Sequence, residues 1–428
     1  MADEIRKNTR PGWFHAIAPG ILVAATGVGA GDLMTASLGG SAVGVVILWA
    51  AGAGAVVKWF LTEGIARWQM ATGTTLLEGW VSRLGNWVQW IFISYLLIWT
   101  FFTGGAMVTA CGVAGTGLWP LAADAETSKI IWGVIHSAVG LVLVVVGGFR
   151  LFERLMSVCI GVMFVAVLTT ALLCKPDWSA AARGLVWPRI PAGGLGWVLG
   201  ILGGVGGTVT LLSYGYWIRE ERRTGQAGMK ACRLDLAVGY TMTALFGVAM
   251  VLIGSKVHIE GSGAKMAPVL ADQLGDVMGS TGRWVFLLGF WGAVFSSLLG
   301  VWQSVPYLFA DFLSIRQGAG DQARRPVDFS KTRAYRGYLI AIAIVSLPML
   351  FVSVRQAQLA YAVLGSLFMP LLALTLLIMN NRTDWVGRDL RNGWPTNLML
   401  VATLAFFAFV GYQRAVEKLL QLWPGLAG

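Results

Sequence analysis

Gly27-Val28-Gly29-Ala30-Gly31-Asp32 and Gly203-Gly204-Val205-Gly206-Gly207-Thr208 are the two stretches that decide the fold of this 428-residue chain. Each lies inside an apolar segment, the first from about Ile17 to Gly40 and the second from about Gly196 to Trp217. Glycine weakens a helix by about 1 kcal/mol relative to alanine, so several together predict an unwound point. Unwound backbone survives in a bilayer only where it is buried in protein or lines a cavity. Paired interruptions in two halves of a chain indicate a substrate site.

The composition is that of a membrane protein. Hydrophobic residues make up 56% of the chain and charged residues 12%, against about 25% charged in soluble domains. About eleven apolar segments approach the roughly 20 residues that a spanning helix needs: 17–40, 42–66, 85–115, 129–149, 152–174, 196–217, 234–256, 283–313, 336–354, 357–380 and 395–414. The sequence therefore predicts an all-α polytopic membrane protein. No small-residue cleavage site follows the first segment, so we expect a retained helix.

The net charge of +11 follows the predicted topology. Arginine and lysine cluster in alternate connections, and the positive-inside rule places those connections in the cytoplasm. We therefore expect a cytoplasmic N-terminus, an external connection between Lys256 and Arg283, and an external C-terminus in a bacterial plasma membrane. This pattern explains the positive charge without a nucleic-acid partner. We also expect a monomer in the lipid bilayer.

The first five segments can be laid over the next five, and each set opens with a glycine-broken helix. Five is an odd number, so the second set enters the membrane in the opposite direction, as in inverted-repeat transporters. We predict a core over residues 17–380, with repeats at about 17–174 and 196–380. Residues 1–16 would be a cytoplasmic segment, and 395–428 an extra helix with a short tail.

The two predicted breaks supply the candidate substrate site. Asp32 is the sole carboxylate of the first span, and a charge at membrane depth is costly enough to suggest function. It could equally cap the outer half-helix, and both roles can coexist. The predicted site consists of Thr26, Gly29, Ala30, Gly31, Asp32, Gly204, Gly207, Thr208, Thr210 and Gln303, with Asp32 as the metal ligand, directly or through water. No catalytic residues and no cofactor are predicted.

Other polar residues in the spans are expected to be structural. Glu63 and Arg67 are four apart on one helical face and can pair, with Lys58 nearby, late in the second span. Asp311 is expected to be solvated near the cytoplasmic end of the eighth span. His136 is expected to be a hydrogen-bonded contact between helices, with a proton carrier as the alternative.

Three stretches resemble NRAMP-type divalent-metal transporters: Pro19–Ala25 before the first break, Gly200–Gly203 before the second, and Ala71-Thr72-Gly73-Thr74-Thr75-Leu76-Leu77-Glu78. The last is similar to that family's Ala-Thr-Gly-x-x-Leu-x-Glu. The resemblance implies two inverted five-helix repeats with the substrate between the first and sixth helices.

The residues that bind metal in that family are replaced here. Gly29-Ala30-Gly31-Asp32 stands where the family has Asp-Pro-Gly-Asn, and Gly207, Gly204 and Val209 stand at its methionine, alanine and histidine. Phe368 stands at its tenth-helix glutamine, so the resemblance adds Phe368 to the predicted site, and Trp99–Thr103 lacks its acidic relay residues. Loss of the thioether removes a soft ligand that favours transition metals.

We therefore predict a secondary transporter that moves a metal ion, hydrated or held in a small chelate, by alternating access with weak or absent proton coupling. A transporter of a small organic cation or acid on the same fold is the alternative. A membrane-embedded enzyme or receptor is the third possibility. The sequence argues against it because the spans lack catalytic residue pairs at matching depths.

Overall fold

The computed structural model describes residues 30–204, 206–221, 223–257, 263–316 and 329–422, and these ranges contain helices and no strands. A π-helical turn, Ala30–Thr35, leads into α1. The helices are α1 Ala36–Val43, α2 Leu48–Thr72, α3 Leu76–Gly79, α4 Asn86–Leu118, α5 Ala125–Leu173, α6 Trp178–Val186, α7 Leu195–Gly204, α8 Ser213–Glu220, α9 Gly225–Gly254, α10 Met266–Arg316, α11 Arg333–Val345, α12 Val354–Ser366, α13 Phe368–Met379, α14 Thr383–Val386 and α15 Trp394–Leu422.

The described residues include nine helical segments long and apolar enough to cross a membrane. The sequence predicted about eleven; the difference arises partly because the predicted first and second spans share one segment, Leu33–Thr72. Large apolar side chains face outward, among them Val146, Phe351 and Trp394, each more than three-quarters exposed. Such surfaces are costly in water and favourable against lipid.

The predicted fourth and fifth spans belong to one helix, α5, of 49 residues. The sequence placed a connection near Arg150 and Arg154, but the backbone there stays helical. No proline interrupts Ala125–Leu173, so nothing in the residue types removes a backbone donor. Asp124 caps this helix, and the Thr127 backbone N–H lowers the pKa of its carboxyl.

The stretch Ala71–Glu78 has a local structural explanation. Gly73 ends α2 with a left-handed φ of 71°, a conformation that favours glycine. Thr75 and Glu78 then form a reciprocal cap on α3, in which the Thr75 backbone N–H donates to Glu78 Oε2 at 2.5 Å. These residues therefore encode a sharp helix-to-helix turn.

Two groups of helices surround the centre of the molecule. In one group, α1 and α2 each pack on α7 and on α9; in the other, α4, α5 and α10 pack together. Helix α12 contacts both α7 and α4 and so bridges the groups. The π-helical turn touches α4, α7, α9, α10 and α12, which puts the first broken helix at the junction.

His136 fixes part of the second group. Trp291 of α10 donates its indole N–H to His136 Nε2 at 2.7 Å, and His136 Nδ1 lies 2.7 Å from the Trp132 carbonyl oxygen. Since Nε2 accepts, Nδ1 must carry the proton, and the ring is neutral in this arrangement. His136 is the helix contact that the sequence suggested.

Candidate substrate site

The interruption predicted in the sixth span is present. Helix α7 ends at Gly204, Gly206 and Gly207 have φ values of 77° and 81°, and the helix resumes through a 3₁₀ turn, Val209–Leu212, into α8. Side chains strain a left-handed backbone, so both glycines permit the unwinding. The break therefore follows directly from the residue types.

The break in the first span is only partly described. Thr26 and Gly29 lie outside the described residues, and for Ala30, Gly31 and Asp32 only the backbone is described. The backbone from Ala30 to Thr35 is a π-helical turn, a wide turn that occurs often at functional sites. The role of Asp32 thus stays a prediction from the sequence.

Small residues hold the described half of the first broken helix against α7 and α9. A methyl group added at Gly200 of α7 would lie 3.1 Å from Thr35 Cγ2. One added at Gly40 would lie 2.3 Å from the Val251 carbonyl oxygen, and one at Gly254 would lie 2.2 Å from that of Ser37. The glycines allow the backbones to approach closely, as in other membrane helix pairs.

Helix α12 packs against the second break. A methyl group on Gly203 would lie 2.3 Å from the Ala362 carbonyl oxygen, and one on Gly365 would lie 2.6 Å from Thr208 Cγ2. Thr208 is 1% exposed, and Thr210, in the following 3₁₀ turn, is also buried. The end of α7 and the start of its continuation are therefore both seated against α12.

Several buried polar atoms, on elements that contact the first broken helix or the second break, have no hydrogen-bond partner among the described protein atoms. They are Thr35 Oγ1 on the π-helical turn, Thr208 Oγ1 at the break, Thr103 Oγ1 on α4, Ser297 Oγ and Gln303 Oε1 on α10, and Gln358 Oε1 on α12. A buried polar atom without a partner costs about 1–3 kcal/mol, and each such group calls for an explanation such as a ligand or water. They lie on elements that touch the first broken helix or the break.

Phe368, a predicted site residue, lies among aromatic rings, whereas Gln358 was not predicted as a site residue. Phe368 is buried at the start of α13, where its ring stacks on Tyr95 at 5.6 Å and meets the edge of Trp80 at 6.4 Å. On α12, Gln358 donates from Nε2 to the Ala106 carbonyl oxygen at 2.8 Å, and its Oε1 is unpartnered. Gln358 is thus the glutamine of this segment that lies among the walls, although the sequence assigned the glutamine position to Phe368.

Lys58 was missed as a site residue. It is fully buried in α2, and its Nζ donates to the Gly203 carbonyl oxygen at 2.8 Å, beside the break. The sequence grouped it with Glu63 and Arg67. A lysine within a span is itself a functional signal, and that rule would have found it.

Beyond Lys58, α2 enters an ion-paired layer, defined as Glu63, Arg67, Arg223, Arg233 and Asp235. Arg67 Nη2 lies 2.5 Å from Glu63 Oε1, which confirms the predicted pair, and Arg233 Nε donates to the same oxygen at 2.9 Å. Arg223 Nη1 lies 2.5 Å from Asp235 Oδ2. The layer joins α2 to α9 across 170 residues of sequence.

Asp311 departs from the prediction that it is solvated. It is 3% exposed and accepts a hydrogen bond from the Tyr216 hydroxyl group of α8. Tyr214, on the same helix, donates to Asp235 Oδ1 at 2.6 Å. Both tyrosines thus use their hydroxyl groups to fix α8 to its neighbours.

No group of three or more histidine, cysteine, aspartate or glutamate side chains is placed to hold a metal ion within the described residues. What the walls offer instead is hydroxyl groups, amide oxygens and backbone carbonyl groups. Such hard oxygen ligands suit Mg²⁺, Ca²⁺, Mn²⁺ or a solvated species better than a thiophilic ion.

The chain has recognisable relatives. The family described as Natural resistance-associated macrophage protein-like matches residues 20–417. An uncharacterised protein of Pasteurella multocida is 23% identical over 275 residues, and the match spans 60% of each chain.

Solved structures show the same fold. A manganese transporter of Eremococcus coleocola in complex with an aromatic bis-isothiourea substituted compound has a TM-score of 0.65 at 19% identity, over 92% of this chain and 84% of that one. MhsT in complex with L-phenylalanine has a TM-score of 0.54 at 15% identity, over 90% and 95% of the two chains. These likenesses confirm the predicted fold of inverted five-helix repeats with broken first and sixth helices.

Proposed function

We infer, from the premise that this chain belongs to the natural resistance-associated macrophage protein-like family, that it is a membrane transporter whose substrate is a metal ion. Membership makes it a transporter rather than an enzyme, as the sequence predicted, with the metal as cargo and not as cofactor. The likeness to a manganese transporter supports the same substrate class. The observation that carries the proposal is the glycine break at Gly203–Thr208, where the buried Thr208 Oγ1 has no hydrogen-bond partner among the described residues.

The form of the ion is inferred from the donors at the break. Gly204 and Gly207 occupy the positions of the family's alanine and methionine, so no side chain there can approach a metal ion. Oxygen donors set back from the break suit an ion that keeps part of its own shell. We therefore propose that the substrate is hydrated or bound to a small chelating ligand, with Asp32, Thr208 and Gln303 among its contacts.

Alternating access and weak proton coupling belong to the same proposal. The break supplies a hinge between α7 and α8, and unwound midpoints of this kind support rocking of one repeat against the other. In α4, the stretch Trp99–Thr103 has no carboxylate, and Val209 is a fully buried apolar residue where the family has histidine. A proton would have to use another path.

The topology remains as the positive-inside rule predicts. We propose a cytoplasmic N-terminus and an external C-terminus in the plasma membrane, and a monomer as the transporting unit.

A small organic acid or cation is the second candidate substrate. The observation that favours an acid is the Lys58 amino group beside the break. The shared fold with a protein that holds L-phenylalanine is compatible with it but argues for the fold only.

Uptake into proteoliposomes tests the proposal. Purified protein would be reconstituted, and radioactive manganese supplied either as Mn²⁺ or as its equimolar citrate complex. We expect accumulation of manganese in at least one form, above that in empty vesicles and in vesicles with the Gly207→Met variant, where a large side chain enters the break. Absence of manganese uptake in both forms, with uptake of citrate alone, would support the organic acid instead.

A further inference from the structure

Close packing of α2 on α7 delivers a lysine to the second break. A methyl group on Gly54 of α2 would lie 3.3 Å from Leu202 Cα of α7, so the two backbones nearly touch there. Lys58 lies four residues further along α2, one helical turn beyond that contact on the same face. It is fully buried, and its side chain runs from the contact towards the end of α7.

The amino group of Lys58 occupies the carbonyl end of α7. Gly203 is the penultimate residue of α7, and its carbonyl oxygen accepts from Lys58 Nζ at 2.8 Å. The last four carbonyl groups of a helix have no partner within the helix, and they form the negative end of the helix dipole. This end is where a broken membrane helix would otherwise bind a cation.

The seat for the lysine chain is built by the neighbouring helix and the unwound segment. The Cβ position at Gly206 lies 3.5 Å from Lys58 Cδ, 3.2 Å from Tyr240 Cε1 and 3.1 Å from Thr243 Cγ2. The hydroxyl groups of Tyr240 and Thr62 lie 2.7 Å apart and join α9 to α2 beside the Lys58 side chain. The side chain is therefore held between α9 and the break rather than lying along a flexible surface.

We propose that Lys58 is a tethered cation that fills the carbonyl end of α7, and that it makes the site prefer a metal carried by an anionic ligand to a bare divalent ion. This inference rests on the proposed function and names the substrate class. A bare ion at the break would meet a like charge and a carbonyl group already engaged. A carboxylate of a metal chelate would instead gain a charge-assisted contact with the ammonium group.

Binding to purified protein separates the two substrate forms. Calorimetry with Mn²⁺ and with its equimolar citrate complex would be run on the unchanged chain and on Lys58→Gln, which keeps an amide donor and removes the charge. We expect the unchanged chain to bind the complex at least about tenfold more tightly than the bare ion, and Lys58→Gln to lose or reverse that preference. Lys58→Arg, which keeps the charge, should retain it.

Lys129 offers a matched control. It is equally buried but lies at the start of α5, where its Nζ is 2.5 Å from Glu126 Oε2. Lys129→Gln should keep the preference for the complex. If Lys58→Gln fails to purify as a folded protein, Lys58→Met, which matches the length of the side chain without its charge, replaces it in the same comparison.

The outcomes separate the two levels of the proposal. Equal preferences in the unchanged chain and in Lys58→Gln would overturn the tethered cation and leave metal transport standing. Loss of preference in Lys129→Gln as well would overturn it too, because the effect would then follow any buried lysine. No binding of manganese in either form by the unchanged chain would overturn the proposed function itself.

Discussion

Lys58 and Glu63 are five residues apart on α2, about 7–8 Å along the helix axis, yet they belong to differently built regions. At the break beside Lys58, Thr208 Oγ1 has no hydrogen-bond partner among the described residues. Around Glu63, the carboxylate receives hydrogen bonds from both Arg67 and Arg233, and Asp235 receives them from Tyr214 and Arg223.

We expect the region around Lys58 to bind substrate and the ion-paired layer around Glu63 to stabilise the fold. A buried pair is strongly destabilised when one partner is removed, because the other charge is left uncompensated. A buried oxygen that already lacks a partner loses little stability when it is replaced by an apolar group of the same shape. Variants at the break should therefore change substrate affinity more than stability, and variants in the ion-paired layer should do the reverse.

Asp32→Asn should have the largest effect on the break. It removes the one carboxylate of the first span while keeping its size, and we expect loss of manganese binding by about a hundredfold or more, since charge-assisted contacts dominate such sites. Calorimetry on purified protein checks this, with thermal unfolding as the control for folding. Unchanged binding would show that Asp32 only caps the half-helix.

Gly207→Met should reduce uptake next most strongly. The φ of 81° means that any side chain at this position is strained by about 1–2 kcal/mol, so Gly207→Ala is the baseline for that cost. The additional loss in Gly207→Met measures the space that the substrate needs. We expect uptake by Gly207→Met to be at least about tenfold lower than uptake by Gly207→Ala. Equal losses of uptake in the two variants would mean that the glycine serves backbone geometry alone.

Glu63→Gln should break the ion-paired layer. Glu63 and Arg67 side chains are 2% and 6% exposed, so removing the carboxylate charge should cost roughly 3 kcal/mol of stability. Thermal unfolding would show the lower midpoint, while the affinity for manganese should change little. The exposed pair Arg283–Asp272 supplies the control, because Asp272→Asn should cost under about 1 kcal/mol.

Thr208→Val sharpens the comparison on a smaller scale. It keeps the volume and deletes a buried hydroxyl group that has no hydrogen-bond partner in the part of the chain that the structure describes. The free energy of unfolding should stay the same or rise slightly, while affinity falls several-fold if the hydroxyl group contacts the substrate. A fall in stability with unchanged affinity would show that Thr208 stabilises the fold and does not contact the substrate.

Proton coupling should give the smallest signal. Proteoliposomes loaded with a pH-sensitive dye should show manganese uptake without matching acidification, because α4 offers no carboxylate at Trp99–Thr103. Acidification that depends on substrate would identify another relay, for which Asp32 and Asp311 are the residues to test.

The sequence predicted the helical membrane fold because apolar length and glycine clusters are local properties. The unwinding at Gly206 and Gly207 follows from their own backbone freedom. The sequence could have marked Lys58 as a functional residue, but it could not identify the acceptor, which is 145 residues away and lies near the contact of Gly54 with Leu202. Asp311 was misjudged for the same reason: its burial depends on how Tyr216 of α8 packs against α10.

The seating of α7 on α12 has a mechanical consequence. With the Ala362 carbonyl oxygen 2.3 Å from where a methyl group on Gly203 would lie, the two helices have almost no clearance to slide past each other. We therefore expect a rotation of α7 to move α12 with it. Between α7 and α8 the backbone leaves the helical conformation at Gly206 and Gly207, so we expect the residues proposed to open space for the substrate to serve also as the pivot that releases it.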